Sequence, residues 1–146
     1  MALLEMHHVS MVVTDIGAAK AFFIALGMEL EGEMPIEGDV VNRLNAIDDI
    51  RCQIAMMKTP DGLGRLELTR FSHPDAITPA PAVAPPNTLG LRSVMFSVDD
   101  IDAMVARLQA VGGELIGEIV QYEDVYRLCY LRGPAGIIVA LAEPLQ

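Results

Sequence analysis

Apolar and polar residues follow the same order twice along the chain. When the sequence is shifted by 85 positions, Val9–Leu30 aligns with Val94–Leu115, and aliphatic, Asp and Gly positions coincide. In each block an alternation of apolar residues predicts a strand, and apolar residues at helical spacing then predict a helix. The agreement runs through both elements, so it indicates a duplicated structural unit.

Each block also carries the same boundary signals. The first strands are predicted over His8–Val13 and Ser93–Val98. An Asp stands where each helix begins, because its side chain can accept hydrogen bonds from unpaired backbone N–H groups of the first turn. A Gly follows each helix as a stop. These boundary residues are Asp15, Asp100, Gly27 and Gly112.

Three further strands are predicted in each half, which gives the order βαβββ twice. They are Met28–Met34, Arg51–Lys58 and Gly64–Phe71, and then Glu114–Gln121, Tyr126–Arg132 and Ile137–Ala142. The first half also has an extra segment, Gly38–Asp49, with a short helix predicted over Val40–Ala46. We therefore predict an α+β fold in a single domain, 1–146. Its parts are module one (5–71), a Pro-rich linker (72–89) and module two (90–143).

Composition and net charge reduce the classes of molecule that this chain is expected to bind. The net charge is −10 and the ten Lys and Arg residues are scattered, so nucleic acid and membrane surfaces are poor partners. Apolar residues make up 52% of the chain without any Trp, which predicts an aliphatic core rich in Met. Cys52 and Cys129 lie in apolar runs and are predicted to be free thiols in a reducing compartment. Because no signal peptide or membrane span is apparent, we expect a soluble, cytoplasmic protein.

Four stretches carry a family resemblance: HHVSMVVTDIGAAKAFFIALGMELEG, GRLEL, LRSVMFSVDDIDAMVARLQAVGGEL and YRLCYLRGPAGIIVALAE. They resemble the vicinal oxygen chelate superfamily, which includes glyoxalase I, bleomycin-resistance proteins and extradiol dioxygenases. The resemblance implies a glyoxalase-like fold, in which two modules with curved mixed sheets form a cupped cavity. It also implies a homodimer, since such modules often complete one cavity with strands from two chains.

The resemblance implies a metal site that is only half present. Members of the superfamily can hold a divalent metal at four strand positions, which correspond here to His8, Glu67, Ser93 and Ala140. Ser is a weak ligand and Ala is none, whereas a catalytic transition-metal site normally has three protein ligands. A divalent metal (Ni, Zn, Mn or Fe) at His8 and Glu67 therefore stays open, no nucleotide cofactor is expected, and the ligand set argues against a dioxygenase.

Strand alternation assigns the candidate side chains to faces. His8 and Ser10 are predicted to face the cavity, opposite a more apolar set of residues. Glu67 and Thr69 share one face of the fourth strand. A carboxylate inside a sheet cavity is costly unless it is paired or coordinated. Glu67 is therefore either functional or ion-paired with a nearby Arg such as Arg65 or Arg51.

Other residues are predicted to contact a ligand. QYEDVYR (121–127) predicts a hairpin turn, which is either a solvated turn or the lip of the cavity. As a lip, its tyrosines would stack on a flat ligand and Glu123 would offer a replacement metal ligand. His7 is expected to be a strand-edge residue with a satisfied hydrogen bond. The predicted ligand contacts are Ser10, Met57, Thr69, Ser93, Met95, Tyr122, Glu123, Tyr126 and Ala140.

Two functions of different classes fit these residues. The favoured one is a glyoxalase-like lyase or isomerase, in which His8 and Glu67 move a substrate proton with or without a metal. It is favoured because His8 and Glu67 stand at two of the four strand positions where the superfamily has metal ligands. The alternative is a metal-free protein of the bleomycin-resistance type. It would sequester a small apolar or aromatic molecule in a Met-rich cavity.

Overall fold

The chain forms two compact units, Met1–Ile77 and Thr78–Gln146. The computed structural model describes residues 1–145, so Gln146 at the end of the predicted domain lies outside the described residues. The boundary between the units falls inside the Pro-rich stretch that was predicted as the linker, 72–89. No helix within residues 1–145 has the length and apolar character needed to cross a membrane.

The first unit is a four-stranded mixed sheet with two helices. Its strand order is β1-β4-β3-β2, in which β1 and β4 are parallel and the other neighbours are antiparallel. Its elements are β1 (Val9–Val12), α1 (Ile16–Leu26), β2 (Glu29–Glu37), α2 (Asp39–Asn45), β3 (Arg51–Lys58) and β4 (Arg65–His73).

The second unit repeats this arrangement with the strand order β5-β8-β7-β6. Its elements are β5 (Ser93–Ser97), α3 (Ile101–Gln109), β6 (Glu114–Tyr122), β7 (Tyr126–Arg132) and β8 (Ile138–Pro144), with a short 3₁₀ turn at Pro134–Gly136. The predicted α+β class and the duplicated βαβββ order are confirmed. Helix α2 has no counterpart among the described residues of the second unit.

Both long helices begin at the predicted Asp residues. The Asp15 carboxylate accepts a hydrogen bond from the backbone N–H of Ala18 at 2.9 Å, and Asp100 does the same for Ala103 at 3.0 Å. Each bond satisfies one of the backbone donors that a helix leaves unpaired at its start. The shared cap is therefore a structural signature of the duplication.

Both helices end in a turn that contains the predicted Gly, with one difference in the residue that follows the helix. Gly27 caps α1 in the left-handed conformation with φ of 115°, as expected for Gly. In contrast, α3 ends at Gln109, and its cap residue, Ala110, is right-handed. Gly112 nevertheless closes the turn in the left-handed conformation with φ of 97°, as predicted. The N–H of Gly113 donates to the carbonyl of Leu108 at 2.8 Å, as the N–H of Met28 does to that of Phe23 at 2.9 Å.

Each sheet is covered on one face by its helix. Helix α1 packs on β2, β3 and β4 and buries Phe22 and Phe23, whose rings meet edge to face. Helix α3 packs on β6 and β8 with Ile101 and Leu108 fully buried. The opposite face of the first sheet is therefore available for a site.

Candidate functional site

A cavity of about 460 Å³ lies against the sheet of the first unit. Every residue that lines it belongs to the segment 8–71, so the cavity is built within one unit. Its walls come from β1, β2, β3, β4 and the extra segment that contains α2. A cavity of this size is in the range that binds small organic molecules.

Glu67 is the centre of a polar corner in this cavity. Its Oε1 accepts hydrogen bonds from the Ser10 hydroxyl at 2.9 Å and from the Thr69 hydroxyl at 3.1 Å. Its Oε2 lies 3.6 Å from Nε2 of His8. Ser10 and Glu67 are direct partners in the parallel pairing of β1 with β4, which brings together residues far apart in sequence.

The polar corner is half-buried, and its groups remain accessible. The side chains of His8 and Glu67 are 30% and 23% exposed. The Arg65 that was considered as an ion-pair partner for Glu67 instead binds Glu31, with its Nε 3.2 Å from Oε1. The Glu67 carboxylate is thus held by hydroxyl groups and faces the cavity, where a ligand can reach it.

His7 contacts His8 through their ring nitrogens. The two Nδ1 atoms are 2.7 Å apart and the rings meet edge to face. One ring must donate and the other accept, so this contact couples the tautomer of His8 to that of His7. If His7 donates, His8 presents an N–H to Glu67 from Nε2. If His8 donates, its Nε2 offers the lone pair that a metal ligand requires.

The rest of the cavity wall is mainly apolar. Val12 from β1, Ile36 from β2, Ile54 from β3 and Phe71 from β4 contribute to it. Cys52 adds a thiol whose pKa is raised, first by its burial and then by the nearby negative charge of Glu67. This thiol stays protonated, so it extends the uncharged wall.

The extra segment forms one rim of the cavity. Val41, Leu44 and Asn45 of α2 line it, although the Leu44 side chain is largely exposed to solvent. The segment is tied to the sheet by the backbone N–H of Ile50, which donates to Oδ1 of Asn42 at 2.8 Å. The rim is therefore a short helix of mixed polarity, held by this hydrogen bond to the residue that precedes β3.

The amino-acid sequence matches a known protein family. The model described as "Glyoxalase/Bleomycin resistance protein/Dioxygenase superfamily" matches residues 7–130. The chain belongs to this superfamily. The predicted resemblance is thereby confirmed, and the glyoxalase-like fold is established.

Relatives of this superfamily chain cover its full length. The YaeR protein of Escherichia coli strain K12 is 32% identical over 144 residues, which are 98% of both chains. A crystal structure of a glyoxalase family protein from Bacillus cereus is 48% identical, covers 100% of this chain and 97% of its own, and has a TM-score of 0.95. TnmS3, an antibiotic binding protein from Streptomyces sp. CB03234, is 23% identical with a TM-score of 0.62, covering 99% and 98% of the chains. This last similarity shows the fold alone.

The donor set of this glyoxalase-superfamily chain falls short of a catalytic metal site. Two ligands that each lie about 2.1 Å from an ion can be as far apart as His8 Nε2 and Glu67 Oε2, so these two residues are compatible with one ion. However, the described residues contain no group of three or more His, Cys, Asp or Glu side chains that could hold a metal. A divalent metal at these two residues alone does not fit the usual ligand number.

The structure corrects two predicted ligand contacts. Met57 is fully buried and pairs with Leu66 on the core face of the sheet, whereas Ile54 is the residue of β3 that faces the cavity. The apolar run from Ile54 to Met57 has no alternation, so the sequence did not distinguish its two faces. Ala140 is also fully buried, because its short side chain lies between the larger side chains of Met95 on β5 and Tyr130 on β7.

The other predicted contacts divide between the two units. Ser10 and Thr69 line the cavity with His8 and Glu67, as strand alternation predicted. In the second unit, Met95 and Tyr122 are exposed on β5 and β6, and their roles in ligand binding stay predictions. The same holds for Ser93, Tyr126 and Glu123, the last of which has a positive φ in the β6–β7 turn.

Several lining residues were not identified from the sequence. Val12 and Phe71 share strand parity with Ser10 and Glu67, so alternation alone was sufficient to find them. The residues of α2 gave no such signal, because their contact with the cavity depends on how the extra segment folds. The presence of that segment in only one of two repeats was the available indication of its role.

Proposed function

We propose that this chain binds a small, mainly apolar molecule in the cavity of its first unit, with the Glu67 carboxylate as the polar anchor. The observation that supports this most directly is the combination of an apolar wall with one held carboxylate. Ligand sites commonly pair many apolar side chains with a few convergent polar groups. A half-buried carboxylate is costly in such a place, which favours a functional role.

A binding function also agrees with the donor set. Glu67 and His8 provide two donors where a catalytic metal site normally needs three. We therefore rank a metal-free binding protein of the bleomycin-resistance type above a metal-dependent glyoxalase. TnmS3 is an antibiotic binding protein with a similar fold, which supports a small-molecule ligand for this chain.

Ligand-observed NMR with a panel of small aromatic and aliphatic compounds tests the proposal. Val12→Trp should fill the cavity, because Val12 lines it and is about half exposed. Leu63→Trp is the matched control, since Leu63 is exposed in the same unit and does not line the cavity. We expect compounds that lose their binding signal with Val12→Trp and keep it with Leu63→Trp. Binding signals that survive in both variants, or no binding at all, would contradict the proposal.

A second candidate is a lyase or isomerase in which Glu67 takes a proton from the ligand. The supporting observation is the 3.6 Å separation of His8 Nε2 and Glu67 Oε2 within the cavity. Glu67 would act as the general base, and an N–H on His8 would stabilise the negative charge that develops on a carbonyl oxygen. His7 would act as a positioning residue, because a His7 ring that donates from Nδ1 leaves the N–H of His8 on Nε2.

Hydrogen exchange tests this candidate without knowledge of the whole reaction. Bound compounds with an acidic C–H bond are incubated with the protein in deuterium oxide, and the C–H signal is followed by NMR. Proton transfer predicts exchange that Glu67→Gln abolishes, while Ser72→Ala, outside the cavity, leaves it unchanged. Binding without exchange in the parent protein would exclude the candidate and leave the binding function intact.

We further propose a cytoplasmic homodimer, as the superfamily resemblance implies. Both cysteines are free and buried, which agrees with a reducing compartment. Sedimentation equilibrium at micromolar concentration should give twice the chain mass of 15.8 kDa. A monomer mass over that range would remove the dimer from the proposal.

A further inference from the structure

The charges around the cavity indicate the kind of ligand that it accepts. Of the residues that line it, His8, Cys52 and Glu67 carry the ionisable groups, and no Lys or Arg in the described chain lines it. We infer that the cavity takes a small organic cation, with an ammonium group on Glu67 and an apolar body against the strands. This inference rests on the proposed binding function and names the class of its ligand.

The basic residues closest in sequence to Glu67 are engaged elsewhere. Arg65 binds Glu31, and the Nε of Arg70 donates to the backbone oxygen of Thr14 at 3.2 Å. Neither guanidinium lines the cavity. An anionic ligand would thus be placed beside a carboxylate without a Lys or Arg to compensate it, which is unfavourable in a partly desolvated site.

Glu67 itself has the geometry of a receptor for an N–H donor. The Ser10 and Thr69 hydroxyls both donate to Oε1 and hold the carboxylate in place. The 3.6 Å contact of Oε2 with His8 is longer than a hydrogen bond, so a donor from a ligand can approach this oxygen. A charged donor gains more here than a neutral one, since charge-assisted hydrogen bonds are roughly twice as strong.

The effect of this negative charge extends to the cavity wall. The charge on Glu67 contributes, after burial, to the raised pKa of the Cys52 thiol, because it favours the protonated form. The same field favours a positive charge on a ligand in the cavity. The net charge of −10 adds a long-range attraction of the same sign, although salt screens it beyond about 8 Å at physiological ionic strength.

Three compounds with one shape and different charges test the inference. Cyclohexylmethylammonium, cyclohexylmethanol and cyclohexanecarboxylate share a ring and differ in the group presented to Glu67. NMR titration at physiological ionic strength should give an affinity about tenfold higher for the ammonium than for the alcohol, and weaker binding still for the carboxylate. Glu67→Gln should reduce the preference for the ammonium to about twofold or less, because the neutral amide keeps the shape and removes the charge.

Glu37→Gln is the matched control, since it changes the protein charge equally at an exposed residue beside Ile36 that does not line the cavity. It should preserve the order of the three affinities. Equal affinities for ammonium and alcohol in the parent protein would overturn the inference of a cation, and the binding function would stand. If Val12→Trp leaves the binding of all three compounds unchanged, the cavity is not the site, and the proposed function fails as well.

Discussion

The two units share a fold and differ in what their sheets present. In the first unit, Ser10 lies beside Glu67 in the pairing of β1 with β4. In the second, the equivalent pair is Met95 and Ala140 in β5 and β8. In the same way, Ala142 of β8 occupies the position equivalent to Thr69 of β4. The backbone arrangement was therefore kept in both units, while the polar corner is found in one.

This difference shows that the polar corner is not needed for the fold. The second unit forms the same four-stranded sheet with Met95, Ala140 and Ala142 at the positions of Ser10, Glu67 and Thr69, and Ala140 there is fully buried. Glu67 in contrast stays partly exposed and needs two hydroxyl groups to hold it. Residues that a fold can omit but that carry a desolvation cost are candidates for function.

A carboxylate placed in the second unit at the position of Glu67 should have the largest effect on the free energy of unfolding. Ala140→Glu places a charge at a fully buried position where the neighbours are Met95 and Tyr130. We expect the free energy of unfolding to fall by at least about 3 kcal/mol in urea denaturation, as for an unpaired buried charge. Glu67→Ala should lower it by about 1 kcal/mol or less, because the side chain is partly exposed.

Ala140→Met separates the effect of size from that of charge. It adds comparable volume without a carboxylate and should cost about 1–3 kcal/mol. If Ala140→Glu is no more destabilising than Ala140→Met, the second sheet tolerates a carboxylate. The contrast between the units would then have no energetic basis.

The two units also differ in how the buried thiol of each should make stability depend on pH. Burial raises the pKa of Cys129 to about 11 from an ordinary value of 9.0. Because the folded state holds this proton more tightly, the stability it contributes is complete below pH 9 and is lost as pH rises towards 11. The free energy of unfolding should fall by about 2 kcal/mol over that window, since one pKa unit corresponds to about 1.4 kcal/mol.

Cys129→Ala should flatten this part of the pH profile, which chemical denaturation at a series of pH values will measure. Cys52→Ala is the comparison in the first unit. Its thiol faces the cavity and its pKa is raised in the same direction, by burial and by Glu67. A Cys129→Ala profile that is as steep as that of the parent would show that another group titrates in this window.

The smallest effect is expected at the rim of the cavity. Leu44→Ser removes an apolar side chain that lines the cavity but is mostly exposed, so stability should change by no more than about 0.5 kcal/mol. Affinity for cyclohexylmethylammonium should fall by about two- to fivefold, as expected for a loss of apolar contact. Val40→Ser on the same helix is exposed and does not line the cavity. Equal losses of affinity in both variants would place the ligand elsewhere.

The duplicated pattern was sufficient to predict the order of the strands and long helices. The helix starts at Asp15 and Asp100 were also correct, because a cap depends on local hydrogen bonds. The predicted end of β2 at Met34 was too early, since the strand continues through Pro35 to Glu37. Proline is tolerated there because β2 lies at the edge of its sheet, a fact that only the strand order reveals.

The site was predictable where alternation was clear. His8, Ser10, Glu67 and Thr69 line one cavity as their parity required. Met57 was misassigned because an unbroken apolar run has no parity signal. The contribution of α2 depends on tertiary placement, including the bond between Asn42 and Ile50, which local sequence patterns do not encode.

The anchoring of the extra segment has a consequence for how this protein can change. The segment leaves β2 at Gly38, where φ is 115°, and rejoins the sheet at β3. The strands that hold Glu67 and Ser10 pair with each other independently of it. Mutations, insertions or loop exchange at residues 39–49 that keep Asn42 and the buried Ile50 can therefore remodel the rim while the carboxylate stays in place. Changes in this segment can therefore alter ligand selectivity while Glu67 keeps its position, at little cost to the stability of the fold.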